Sequence, residues 1–159
     1  MNLGIDVAID PNSEDYLDQV ARLTDGFGAD GVIITAASSS DQIISSAFKL
    51  CRKKGRVVIV GDVGLKLNRE DFYLKEIDVL ISTSYGPGRY DNKYEDEGLE
   101  YPISYVRWTE NRNMGEYIRL LSEGMVQVKS LISSTFPIDE ASKAYSSILV
   151  ESDSKPILV

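Results

Sequence analysis

The chain has 159 residues and a formal charge of −8, from 17 basic against 25 acidic side chains, which is one ordinary domain's length and a balance that repels phosphate backbones. The only basic cluster is Arg52, Lys53, Lys54 and Arg56, which reads as a helix end, so no nucleic acid is expected as a partner. With no histidine and Cys51 as sole cysteine, the chain cannot build a Ser-His-Asp triad, a Cys-His dyad, an ordinary zinc site or an internal disulfide.

The start, "MNLGIDVAID", has neither a charged n-region nor an apolar h-region. No apolar run approaches the roughly eighteen residues of a membrane span, so a soluble, cytoplasmic protein without membrane contact is expected. "DVAID" (6–10) reads as a short strand closed by Pro11. Ser13 stands as N-cap of a helix running to about Thr24, with Glu14 and Asp15 in its first turn. Leu17, Val20, Ala21 and Thr24 share one face, and Gly26 and Gly28 end the helix. "GVIITA" (31–36) is nearly all apolar, which predicts a strand covered on both faces.

"SSSDQIISSAFKLCRKKG" reads as a complete helix capped by Ser40. Its stripe is Ile44, Ala47, Phe48 and Cys51, its last turn collects Lys49, Arg52, Lys53 and Lys54, and Gly55 supplies the left-handed stop. Cys51 therefore reads as a small core residue. "RVVIV" and "DVLIST" (78–83) are two more buried strands. A helix is expected around Met114–Gly124 and another from Asp139 to about Val150, and "KPILV" closes the chain as a last strand. Strands alternating with helices, and buried rather than alternating in polarity, predict an α/β parallel sheet with right-handed crossovers.

"GRVVIVGDVG" (55–64) runs into glycines as a phosphate-binding loop does. It offers only G-x-x-G, however, and the following "LKLNRED" alternates like an extended segment, with a helix starting only near Arg69. A dinucleotide loop needs G-x-G-x-x-G after a strand and directly before a helix. "DGFGADG" has the glycines but in the wrong order, after a helix and before a strand. Neither tract grips a diphosphate.

The ordered set "GIDVAIDPNSEDYLDQVARLTDGFGADGVIITAA", "AFKLCRKKGRVVIVG" and "DFYLKEIDVLISTSYG" resembles the later part of the nucleotide domain of medium-chain, zinc-type alcohol dehydrogenases. "SYGPGRYDNKYEDEGLEYPISYVRWTENRNM" is similar to the dehydrogenase half of bacterial two-part oxidoreductases. The resemblance runs from Gly4 to the final strand. It implies a single partial Rossmann-type, doubly wound domain over 1–159 that lacks its first strands. It further implies a parent that moves hydride between NAD or NADP and an alcohol or sugar-like substrate. Because the family's phosphate loop, ribose-binding acid and catalytic domain lie upstream of Gly4, this chain is expected to be a fragment or the product of a truncated gene. It is expected to be inactive alone, to hold no coenzyme tightly, and to need those upstream portions as partners. No catalytic or metal-binding residue is assigned to it.

The resemblance places coenzyme contacts after the strands, at Thr35, Ala36, Ala37 and Ser38, at Val60, Gly61 and Asp62, and at Ser84 and Tyr85. The general rule for open α/β sheets gives the same edge. Small residues there admit the nicotinamide ring, while ordinary tight turns explain them equally well. Asp62 departs from the apolar residue usual in the family. Asp91, Glu95, Asp96, Glu97 and Glu100 could hold a cation, though their spacing matches no calcium loop and a solvated acidic surface is the simpler reading. Arg107, Trp108 and Arg112 suit a sugar nucleotide or other anionic substrate, against helix packing and surface ion pairs. A different class of function is also open. A sheet missing its first strands exposes an edge, which predicts a non-catalytic association module that pairs as a homodimer.

Overall fold

The computed structural model describes residues 4–149. They fall into two compact units, one from Val7 to Glu110 and the other from Asn111 onward together with residues 4–6. The first unit is built on three strands, β1 (Ala29–Ile34), β2 (Cys51–Ile59) and β3 (Asp78–Ile81), parallel throughout and in the order β1-β2-β3. Helix α1 (Tyr16–Leu23) precedes the sheet, α2 (Gln42–Leu50) joins β1 to β2, and α3 (Arg69–Tyr73) joins β2 to β3. This is the α/β parallel arrangement expected.

Register decides what is buried. Val32, Val57 and Val79 align across the strands, as do Ile34, Ile59 and Ile81. Against that face packs the α2 stripe of Ile44, Ala47 and Phe48, all at most 3% exposed, and Phe48 meets Phe72 of α3 at 5.0 Å between ring centroids. Ser45 on α2 donates a hydrogen bond to the Asp71 carboxylate of α3. The opposite face carries Ile33, Val58 and Leu80 in one row. There Ile33 is 67% exposed and Leu80 45%, so the strands are not covered on both faces. An apolar run reports that a strand can be buried, not that something lies on each side of it.

Several boundaries differ from the sequence reading. Residues 6–10 form no strand, because a strand needs a hydrogen-bonding neighbour and the sheet begins with β1. The first helix opens at Tyr16 with Asp15 rather than Ser13 in the cap position, and β1 starts two residues early and ends at Ile34. The largest change is at the basic tract. Helix α2 stops at Leu50 with Asp41, not Ser40, in its cap position. Cys51 already belongs to β2, and the ladder jumps from Ala29–Cys51 to Gly31–Arg56, so residues 52–55 form a bulge. Lys54, not Gly55, takes the left-handed conformation, with φ 58°.

What ends α2 instead is Lys75. Its ammonium donates to the carbonyls of Phe48 at 2.9 Å and of Lys49 and Cys51 at 2.8 Å. A cation placed on a helix's last carbonyls satisfies them and opposes the dipole, so the basic tract is released for other work. Arg52 pairs with Asp30 at 2.5 Å, Lys54 with Glu76 at 2.8 Å and Arg56 with Asp78 at 3.6 Å.

In the second unit α5 (Glu110–Ser122) and α6 (Ala141–Leu149) match the two later helices expected, with a single helical turn at Ile138–Glu140 leading into α6. Arg119 on α5 pairs with Glu116 of the same helix and with Glu123 just past its end. The "KPILV" strand lies outside the described residues. No helix among the described residues is long and apolar enough to cross a membrane.

Candidate functional site

Parallel strands put all their carboxyl ends on one edge of a sheet, and the nine candidate residues all lie just past those ends. Thr35–Ser38 leave the sheet as β1 stops at Ile34, and Val60–Asp62 as β2 stops at Ile59. The structure brings these two loops into direct backbone contact. The amides of Val60 and Gly61 both donate to the Ile34 carbonyl at 2.9 Å. Further on, the Ser38 amide donates to the Asp62 carbonyl at 2.8 Å and the Gly64 amide to the Ser38 carbonyl at 3.1 Å, with a parallel bridge between Ser38 and Val63. Asp41 completes the tie: its carboxylate accepts from the Lys66 amide at 3.0 Å.

Gly61 is required at this crossing. A Cβ there would overlap the Ala36 carbonyl oxygen and lie 2.8 Å from the carbonyl carbons of Thr35 and Ala36. Main-chain atoms cannot retreat as a flexible side chain would. The small residue thus has a structural reason of its own, independent of any ring it would admit. In contrast, no hydrogen bond among the described residues engages the amides of Ala36, Ala37 and Asp62, and all three residues are exposed. Three donors are thus left unspent in the paired loops. A concavity of about 510 Å³ borders Thr35 and Ala36 and runs along β1 past Ile33, Ile43, Tyr16 and Pro11.

Ser84 and Tyr85 sit at the centre of a turn closed by the Gly86 amide on the Thr83 carbonyl at 2.7 Å, and both are exposed. The Ser82 amide, 2.8 Å from the Ile59 carbonyl, links this segment back to β2. Sequence reasoning missed Arg89. Its guanidinium lies 5.5 Å from the Tyr85 ring centre and 4.4 Å from that of Tyr90, and it pairs with Glu95, which raises its pKa. Its Nε is buried with no partner among the described residues. Tyrosines at i−4 and i+1 around an arginine were the available signal.

The acidic, tyrosine-rich tract around α4 (Asn92–Glu95) is exposed at Asp96, Glu97 and Glu100, as a solvated surface would be, and it also carries hydrogen bonds of its own. Asp91 accepts the Tyr101 hydroxyl, and Glu100 accepts those of Tyr94 at 3.0 Å and Thr109 at 3.1 Å. The Tyr101 hydrogen bond holds the Asp91 carboxyl below its ordinary pKa, and Asp91 in turn pushes the Tyr101 phenol up. The described residues contain no group of three metal-binding side chains. Cys51, fully buried, has its thiol pKa raised by burial and plays no part at the edge.

Comparison with known proteins places this geometry. The family description "zinc-binding dehydrogenase" matches residues 1–97. D-arabitol-phosphate dehydrogenase of Enterococcus avium is 27% identical over 159 residues, covering 98% of this chain and 38% of its own length. Sorbitol dehydrogenase of Halalkalibacterium halodurans is 30% identical over 149 residues, covering 92% and 36%. The chain therefore spans little more than a third of the length of the curated relatives it matches. Among solved structures, a short chain alcohol dehydrogenase from E. coli CFT073 complexed with NADH is 22% identical, with a TM-score of 0.63 over 98% of this chain and 37% of that one. An alcohol dehydrogenase superfamily protein from Novosphingobium aromaticivorans is 21% identical, with a TM-score of 0.62 over 91% and 38%. These neighbours share the fold, a partial Rossmann-type nucleotide-binding domain. The chain belongs to the zinc-binding dehydrogenase family.

Proposed function

We propose that these residues form the nicotinamide-side half of the coenzyme domain of a medium-chain, NAD(P)-dependent oxidoreductase. Its reaction would move hydride between nicotinamide and an alcohol or sugar-like substrate. One observation carries the reading: the loops after β1 and β2 are zipped together by their backbones and still leave the Ala36, Ala37 and Asp62 amides unspent. Fixed main-chain donors on a parallel sheet's carboxyl edge suit a carboxamide and a ribose. The same residues do not suit a pyrophosphate, since the chain has no G-x-G-x-x-G between a strand and a helix.

The nicotinamide supplies the hydride acceptor at its ring carbon. What the chain itself does is orient that ring: Ala36 and Ala37 leave room beside the backbone, Gly61 lets the two loops close on each other, and Asp62 offers an exposed carboxylate to a sugar hydroxyl. No residue here is assigned to take the alcohol's proton, so the chain alone does not turn over. Incubating it with NAD or NADP and a polyol should give no absorbance change at 340 nm, and sustained reduction would overturn the proposal.

A second reading has its own support in β1, whose outer edge pairs with no strand among the described residues and which carries the exposed Ile33. Open edges invite pairing, and a homodimer through β1 would make the chain an association module. Light scattering at micromolar concentration should then give twice the chain mass, and a monomer counts against it.

A further inference from the structure

Trp108 is the chain's single tryptophan, and the Arg107 guanidinium lies over it, 4.2 Å from the ring centre. Arg22, Arg52, Arg56, Arg89 and Arg119 are each paired with a carboxylate. Arg107 is exposed and, among the described residues, has no ion pair and no hydrogen bond. Arg69, 4.1 Å from the Tyr73 ring centre, has no ion pair among the described residues either, so what sets Arg107 apart is the indole beside it.

The segment that carries the pair is held in place. The amides of Tyr105 and Val106 both donate to the Pro102 carbonyl at 3.0 Å, Thr109 is fully buried on Glu100, and the Glu110 amide donates to the Pro87 carbonyl at 2.9 Å. Pro87 follows Tyr85 by two residues, which sets this segment beside the turn after β3. Trp108 is nonetheless 46% exposed and Tyr105 88%. An indole fixed before binding, with a guanidinium on one side, offers a flat apolar surface next to a planar fork of donors. Guanidinium recognises phosphate bidentately, and an indole face takes the C–H side of a sugar ring through buried apolar area. A bare phosphate meets the field of a net-negative chain with one cation to hold it, and a neutral sugar gains only the stacking. A ligand with both parts uses the whole platform.

We propose that Arg107 and Trp108 form a binding site for a phosphorylated sugar. The site needs no coenzyme, so it stands or falls apart from the reading above. Because Trp108 is the chain's only indole, its fluorescence reports the site alone. Glucose 6-phosphate titrated into the full chain should change the emission saturably. Glucose and inorganic phosphate should each bind about tenfold more weakly or worse. Arg107→Gln should lose the glucose 6-phosphate response while keeping the wild-type unfolding midpoint. A silent titration, a response to inorganic phosphate as strong as to the sugar phosphate, or an unchanged response in Arg107→Gln would each overturn the proposal.

Discussion

Gly61 lies so close against the carbonyl of Ala36 that a single added methyl group would occupy the same space as that oxygen. The contact joins the loops after β1 and β2, which are the two halves of the candidate coenzyme edge. Gly61→Ala must push one backbone away from the other, stretching the hydrogen bonds that the Val60 and Gly61 amides make to Ile34. Overpacking of this kind costs about 1–3 kcal/mol. The urea midpoint of Gly61→Ala should fall accordingly with the m-value unchanged, whereas a wild-type midpoint would show that the loops are free to separate.

Lys75 should matter for stability out of proportion to its place at the end of a short helix. Its ammonium donates to three carbonyls around the α2 terminus. Hydrogen bonds from a charged donor contribute about 1.5–3 kcal/mol net, so Lys75→Met should cost about 2 kcal/mol in thermal unfolding. Lys53→Met, a change on the exposed bulge, should stay within about 0.5 kcal/mol of wild type. Equal losses in the two variants would mean that Lys75 is not the cap.

The Asp91–Tyr101 pair makes the loop around α4 sensitive to pH in two windows. Asp91 has a lowered pKa in the folded chain, so its contribution is present above the ordinary aspartate pKa and is lost as pH falls through the lowered one. Tyr101 has a raised pKa, so its contribution is complete below the ordinary phenol pKa and is lost as pH rises through the raised one. Asp91→Asn should flatten the acid limb of the stability–pH curve and lower the Tyr101 titration midpoint read at 295 nm. No movement of that midpoint would mean that the two groups are not coupled.

Cys51 is buried with a raised thiol pKa, and thiolate is the reactive form. In the native chain it should react with an aromatic disulfide reagent only as fast as the fold opens. Denaturant should bring the rate to that of a free thiol. Immediate reaction without denaturant would place Cys51 outside the core.

Much of this was legible in the residues. Ile44, Ala47, Phe48 and Cys51 were placed in the core from their spacing, and all four are buried. Apolar strands separated by helical periods gave a parallel sheet. What could not be read were outcomes settled at a distance. The basic residues after Leu50 have the composition of a helix end, but Lys75, more than twenty positions later, already holds those carbonyls. Val7 and Ile9 have strand character but pair with no strand among the described residues. The candidate edge was located by the rule for parallel sheets, while Gly61 turned out to have a packing reason that its sequence neighbours do not reveal. Arg89 was passed over because charge alone says nothing about the two tyrosine rings that flank it.

The central claim is that the loops after β1 and β2 together form half of a coenzyme site. Amide chemical shifts of the labelled chain during an NADH titration test it most directly. The account predicts concentration-dependent shifts at Ala36, Ala37 and Asp62, weak in affinity and reduced in Gly61→Ala. Shifts confined to residues away from this edge, or none at millimolar NADH, would contradict it.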